Sequence, residues 1–369
     1  MQTNVNNNLE AVSDIDNQTG VESLAQQWAK KYVQNLQVDT NYSDSVKTQD
    51  LAEIVSLTGR EKTAQKITES LRSVSAKAWN QTEALLAEQV KLHSINSSLI
   101  NPWEIAGDSF NIYQKVLEVY TQKATLRPLA LVMQLAQEGN PLYEQALQVY
   151  TEQVAPNQLA TVVGADIGVI RKKYTSKDPR VIGFVTMQFH YTSQMLLEDL
   201  EPIERSLIGA YFKVIDDHLY MPLQRAYEAA ARHDYNSAAM SAVRKLLPIS
   251  TAIAKNICHK VIELYPHSRC LSGALSDPIV KISSIRDVEM FQVYLWVCVL
   301  EGNIDAVLQE LFPLCLMLYP TLNVEWDIVR QMLVLLKQEI ETHLTSAENH
   351  TLIAYLQALQ EMFSKEVIG

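Results

Sequence analysis

Carboxylate and imidazole side chains crowd together at Asp216-Asp217-His218, and residues of these types can hold a divalent cation or pass a proton. Consecutive residues of a helix point about 100° apart, so three neighbours do not converge on one ion, and the run reads as a solvated helix face. Arg286-Asp287 sets a guanidinium beside a carboxylate near a helix start, where an acid suits the positive end of the helix dipole. The plain reading of that pair is structural. His190 and His259 read as satisfied histidines on helix faces. The four thiols, Cys258, Cys270, Cys298 and Cys315, show no C-x-x-C spacing, and three sit in apolar helical runs. That pattern fits reduced, buried cysteines in a cytosolic chain. The sequence contains no Ser-His-Asp signature, P-loop, G-x-G-x-x-G or H-E-x-x-H motif, so a non-enzyme is expected. The basic run Arg171-Lys172-Lys173, with Lys177 and Arg180, reads as a solvated loop, with an acidic partner as the other reading.

The elements that would position these residues are helical. Of 369 residues, 47% are hydrophobic and 20% charged, while only 11 Gly and 12 Pro punctuate long apolar-periodic runs. This composition specifies packed helices rather than many short strands. A net charge of -11 gives a nucleic-acid partner no global support. Met1–Gly20 is Asn-rich and acidic without a basic or apolar signal region, and reads as a disordered tail. No apolar run reaches the roughly 18 residues that span a bilayer.

In the first half, helices are expected over Val21–Leu36, Gln49–Leu92 with an interruption near Gly59, Asp108–Glu138, Pro141–Glu152 and Pro179–Leu197. Gln37–Thr48 reads as a polar linker, Ser94–Pro102 as a loop and Asp166–Asp178 as mixed and irregular. Glu198–Pro202 marks a domain boundary. Expected helices beyond it are Ile203–Arg232, Ser237–Leu246, Ile249–Leu264, Pro278–Glu301, Ile304–Tyr319, Val324–His343 and Ser346–Ser364. Asp277-Pro278 supplies an N-cap acceptor before a first-turn proline. Gly302 suits a left-handed helix end. Thr345 and Glu348 have the spacing of a capping box. Ile285, Val288, Phe291, Leu295 and Cys298 recur at helical intervals, as do Leu352, Leu356, Leu359 and Phe363, and each stripe reads as core.

From Ser237 to Lys337 the series resembles the phycobiliprotein family. Ser283-Ser284-Ile285-Arg286-Asp287-Val288-Glu289, followed by Tyr294, is similar to the family's Ala-Cys-Ile/Leu-Arg-Asp-Met-Asp/Glu helix and its downstream Tyr. Val299-Leu300-Glu301-Gly302-Asn303 stands where the family has its Gly-Asp helix end, and Leu264-Tyr265-Pro266 and Leu318-Tyr319-Pro320 resemble its helix exits. The resemblance implies an all-α chain: a globin-like domain over 198–369, including a C-terminal helix, preceded by a helical domain over 21–197.

It also implies a pocket for an open-chain tetrapyrrole, joined by a cysteine thiolate. Ser284 stands at that cysteine's position, and a hydroxyl is hardly ionised at neutral pH. The family's Asn after the Gly becomes Ala274, and its propionate-holding basic pair becomes Ile279 and Val280. Arg286 and Asp287 remain as a vestigial bilin site; in the family that Asp accepts pyrrole N–H groups. Cys270, in the preceding loop, offers an alternative sulfur. Haem is disfavoured because Ile304–Tyr319 holds no His.

The expected function is therefore a bilin-free, phycobiliprotein-like interaction protein, with no metal and no resident cofactor. It would assist assembly or regulation of light harvesting in a cyanobacterium, in the cytoplasm or at the cytoplasmic face of the thylakoid. Its expected partners are proteins, phycobilisome subunits among them, in a homo- or hetero-dimer docked through Ile203–Arg232, with Tyr220, Leu223 and Tyr227 on one side. Contact of that segment with the chain's own first half is the other reading. The alternative function is a sensor holding bilin or lipid non-covalently, with Ile279, Val280 and Ile282 lining an apolar cavity.

Overall fold

Prolines and polar caps, more than composition, decide where each helix of this chain begins. The computed structural model describes residues 23–34, 53–54, 56–122 and 156–368, and their regular structure is almost wholly helical. The expected tail at 1–20, the linker at 37–48, the helix at 141–152 and the end of the one reaching Glu138 lie outside the described residues. Among the described residues, no helix is long and apolar enough to cross a membrane.

The first half contributes α1 (Leu24–Gln34), α2 (Leu57–Leu92), α3 (Pro102–Thr121), α4 (Pro156–Thr175) and α5 (Val181–Glu198). Gly59 does not interrupt α2 but lies in its first turn, where its amide donates to the Ser56 hydroxyl at 3.0 Å. A Cβ there would stand 2.1 Å from the Glu53 carbonyl oxygen, so only glycine fits. α3 starts six residues earlier than Asp108. Asn101 accepts from the amides of Trp103 and Glu104, and Pro102 fills the position that needs no donor. The same signature was legible at Asp277-Pro278. Asp166–Asp178 is not irregular, since α4 runs through it to Thr175. Gly164 and Gly168, poor helix formers, are retained there by packing: a Cβ on Gly164 would meet the His218 ring at 3.1 Å, and one on Gly168 would meet Gln224 at 2.5 Å.

The second half contributes α6 (Pro202–Tyr220), α7 (Leu223–Ala230), α8 (Ala238–Leu246) and α9 (Ser250–Leu264). A two-residue hairpin pairs β1 (Arg269–Cys270) with β2 (Gly273–Ala274) in antiparallel register. Then come α10 (Pro278–Glu301), a π-helical turn at Ala306–Leu311, α11 (Phe312–Thr321), α12 (Trp326–His343) and α13 (Ser346–Met362). The helix expected over Ile203–Arg232 is two helices. Pro222 pushes Met221 into an extended conformation, φ -110° and ψ 146°, and α7 restarts beyond it. Gly302 ends α10 at φ 70°, and the Thr345–Glu348 capping box forms. Asp277 caps differently from expectation: it makes no side-chain bond to α10, and its carboxylate turns back to the Ala274 amide at 2.7 Å. In the π turn, the Phe312 amide reaches back to the Val307 carbonyl. The widened turn relieves the clash that Pro313 would make in a regular helix.

Every residue of α10 from Val288 to Leu300 is buried, not one stripe alone. A helix apolar on all sides belongs at the centre, and α7, α8, α9, α13 and the π turn surround it. In the first half, α2 packs along α5 and α3. α6 lies on α4 and α5, so the segment expected to dock a partner packs against the first half instead, and Leu223 is buried there. α5 approaches α11 at Gly183, where a Cβ would stand 2.7 Å from Met317. The buried apolar residues form one contiguous cluster from Leu24 to Phe363.

Two buried ion pairs tie these helices. Arg171 does not belong to a solvated loop: it is buried on α4, ion-paired with Glu310 of the π turn and bonded to the Leu219 carbonyl. Tyr294 joins it, accepting from Arg171 at 2.5 Å and donating to Glu310 at 2.6 Å. Lys31 of α1 is also buried, 2.8 Å from Glu289 and 2.5 Å from the Ser250 hydroxyl. Burial alone would raise the Glu289 carboxyl, but Lys31 and Lys213 outweigh it and hold it ionised. Removing one partner of such a pair strands the other's charge, at a cost of about 3–5 kcal/mol. Lys31→Ala is therefore expected to lower unfolding stability by that amount in urea titrations, and Lys31→Met/Glu289→Met to recover most of it.

Candidate functional site at the start of helix α10

The outer end of α10 differs from its centre. Residues 278–287 are exposed or half-buried apart from Val280, and this stretch carries Ser284, Arg286 and Asp287. Ser284 is half-buried, two residues before Arg286. The Arg286 guanidinium lies over the Tyr220 ring, 4.2 Å from its centroid, in cation–π geometry. The Tyr220 hydroxyl donates to Asp287 Oδ1 at 2.6 Å. Tyr220, the last residue of α6, thus touches both members of the pair. Sequence reading placed it on a docking face, away from the site.

Burial raises the Asp287 carboxyl, opposed by the Arg286 charge and by hydrogen bonds from Tyr220 and Tyr319. Burial pulls Arg286 down, but Tyr220, Asp287, Asp216 and Asp217 together hold it charged. Its Nε has no hydrogen-bond partner among the described residues. The arrangement is an acceptor and a cation already engaged by an aromatic side chain of the same chain. Burial pushes the Cys258 thiol up to about 12 and Cys298 to about 11, and raises Cys315 as well. Cys270 sits half-buried in the hairpin, opposite Gly273.

Asp216-Asp217-His218 is not a solvated face. Asp217 and His218 are each 2% exposed. The three side chains diverge, as helical geometry requires. Asp217 binds Lys213 at 2.9 Å, and the His218 Nδ1 donates to the Val214 carbonyl at 2.9 Å. The His218 ring stacks on Tyr32 at 6.4 Å, and burial keeps it neutral. Its Nε2, facing Gly164, has no hydrogen-bond partner among the described residues. Asp216 feels Arg286 across the gap between α6 and α10. Among the described residues, no group of three or more His, Cys, Asp or Glu is placed to hold a metal ion. His190 is largely buried, and that burial lowers it to about 4, whereas His259 is exposed beside Glu263 at 3.3 Å.

Of the predicted apolar trio, Val280 is buried while Ile279 and Ile282 are 67% and 70% exposed, so they line no cavity. Tyr220, Tyr319 and Lys213 were missed at the site because each contributes from another helix. One local signal existed: Glu289 and Gln292 are polar interruptions in an otherwise apolar run, and both are buried against Ser250 or Thr251. No family model, curated protein or solved structure matches the chain.

Burial raises the Asp216 carboxyl to about 6 in the folded protein, opposed by Arg286 and Lys213. Between its unfolded value near 4 and that value, the folded state holds the extra proton, so stability falls as pH rises through this window. Asp216→Asn is expected to remove that loss, raising Tm relative to the parent at pH 7–8 and matching it near pH 4, by thermal melts across the range.

Proposed function

We propose that this chain is a bilin-free, phycobiliprotein-like interaction protein that assists assembly or regulation of light harvesting in a cyanobacterium. In this reading the second half is a globin-like domain whose pigment site has been closed. One observation carries the proposal: the Tyr220 hydroxyl occupies Asp287, and its ring underlies Arg286, where the resemblance would put a tetrapyrrole. Ser284 completes it, since an un-ionised hydroxyl cannot replace a thiolate in forming the linkage.

The docking surface follows from exposure. Tyr220 and Leu223 are spent inside the chain, so Ile203–Arg232 is set aside. The first turns of α10 present Ile279 and Ile282, three residues apart on one face, and the hairpin before them presents Leu271, 60% exposed. Apolar side chains left in water at a rigid helix end suit a protein interface. The partners proposed are phycobilisome subunits, met in the cytoplasm or at the thylakoid face.

Two measurements test this. Co-expressed with a bilin-synthesis pathway, the protein is expected to purify colourless and to show no zinc-induced fluorescence after denaturation. A bound bilin would move the reading to a pigment-holding sensor. In pull-downs from a phycobilisome-containing cell, the parent is expected to recover phycobilisome subunits. Ile279→Glu/Ile282→Glu should lose them while keeping the parent's Tm, because both side chains already face solvent.

A further inference from the structure

Helix α1 lies on α4, α7 and the 3-10 turn at Leu247–Ile249, with Gln26 and Lys30 facing solvent. Leu24, Trp28, Lys31 and Tyr32, at positions i, i+4, i+7 and i+8, are buried beneath it. That is the anchor spacing of an amphipathic helix laid in a groove. Residues 35–52 separate Gln34 from Glu53, a reach of about 60 Å when extended, so α1 can leave its seat without drawing α2 after it. A helix of 11 residues is marginal by itself in water, so α1 is helical mainly because the groove holds it.

The floor of that groove is polar. Glu289, Gln292 and Trp296 recur at intervals of three and four along α10 and share one face. Lys31 answers Glu289 at 2.8 Å. Trp28 lies edge-on to Trp296 at 6.0 Å, and Tyr32 stacks on His218, whose ring packs edge-on against Tyr227 at 6.2 Å. Gln292 donates to the carbonyl of Ser250, whose hydroxyl accepts from Lys31. Four polar atoms here have no hydrogen-bond partner among the described residues: Gln292 Oε1, Trp296 Nε1, His218 Nε2 and the Tyr227 hydroxyl. Gln292, Trp296 and His218 are each at most 2% exposed. Buried polar atoms are otherwise nearly always bonded, so α1 fills this groove without satisfying it.

We propose that α1 is a resident stand-in, and that its groove takes up an amphipathic helix of a partner protein in its place. The partner helix carries a bulky aromatic side chain for Trp296 and, three residues on, a lysine for Glu289, as α1 does with Trp28 and Lys31. Charge selects it. Glu289 is buried with the Thr251 hydroxyl on it, and only a helix that brings a cation to that register can close over the carboxylate. Polar side chains beside those anchors bond Gln292 and Trp296, which α1 leaves unmatched. That difference lets a partner compete with a helix favoured by its tether. The groove lies along the middle of α10, away from the exposed Ile279 and Ile282, so this contact is separate from the one proposed above.

Fluorescence anisotropy with a labelled synthetic peptide of residues 21–36 tests the exchange. The full-length parent is expected to bind it weakly, because α1 holds the groove. Trp28→Ala/Lys31→Ala, which loosens the resident helix, is expected to bind it at least about tenfold more tightly, since apparent affinity rises with the fraction of open groove. The same peptide carrying Lys31→Glu should bind neither chain. Failure of the double variant to gain affinity would overturn the proposal, as would equal binding of the Lys31→Glu peptide. Loss of a cooperative thermal melt in the double variant would also overturn it, by making α1 an integral part of the core. Parent dimers that form with rising concentration and vanish in Trp28→Ala/Lys31→Ala would identify a second copy's α1 as the occupant and overturn the partner.

Discussion

A lysine ammonium removed from water must meet a carboxylate, and that requirement fixes where α1 sits. Lys31 reaches Glu289 at 2.8 Å, with Trp28 edge-on to Trp296 at 6.0 Å and Tyr32 stacked on His218. Apolar contact alone would tolerate a helix that slides or turns. An unmatched buried charge would not, because its desolvation is offset only at the right register. Glu289 is therefore more than one residue of α10. Through Lys31, Ser250 and Thr251 it joins α1, α9 and α10.

A second polar knot does comparable work on the other side of α10. Arg171 on α4, Tyr294 on α10 and Glu310 in the π turn are mutually bonded, and Arg225 on α7 holds Glu301 through two nitrogens at 2.6 and 2.7 Å. The π turn and the knot belong together. Pro313 prevents a regular helix there, and the widened turn carries Glu310, whose side chain meets Arg171. The close approaches at Gly164, Gly168 and Gly183 complete the joint, since helices of the second half lie where side chains on those positions would be.

The same logic bears on the pair Arg286–Asp287. A guanidinium and a carboxylate at a helix start can hold a ligand or hold the protein. Here Tyr220 touches both at once, its hydroxyl on the acid and its ring under the cation. A ligand taking that place would have to displace a tyrosine fixed at the end of α6.

Helix identity and most helix ends were written locally in the sequence. Pro278 at a first turn, Gly302 and the Thr345–Glu348 box act within a few residues along the chain, so their spacing alone predicts them; Asp277, whose carboxylate turns back to Ala274, does not cap α10 as its spacing suggests. What escaped was decided by partners distant in the chain. Asp217, His218 and Arg171 read as solvated because charged residues usually are, yet all three are buried: Tyr32 of α1 lies against Asp217 and His218, and Arg171 is bonded to Tyr294 and Glu310. Asp166–Asp178 read as mixed and irregular, yet α4 continues through it to Thr175, with α6 and α7 packed close against Gly164 and Gly168. The sequence by itself determined the helices and their stops, since those follow from neighbours within one turn. Only the tertiary structure decided which charges are buried and which apolar residues stay wet, because burial depends on what the rest of the chain brings against each face.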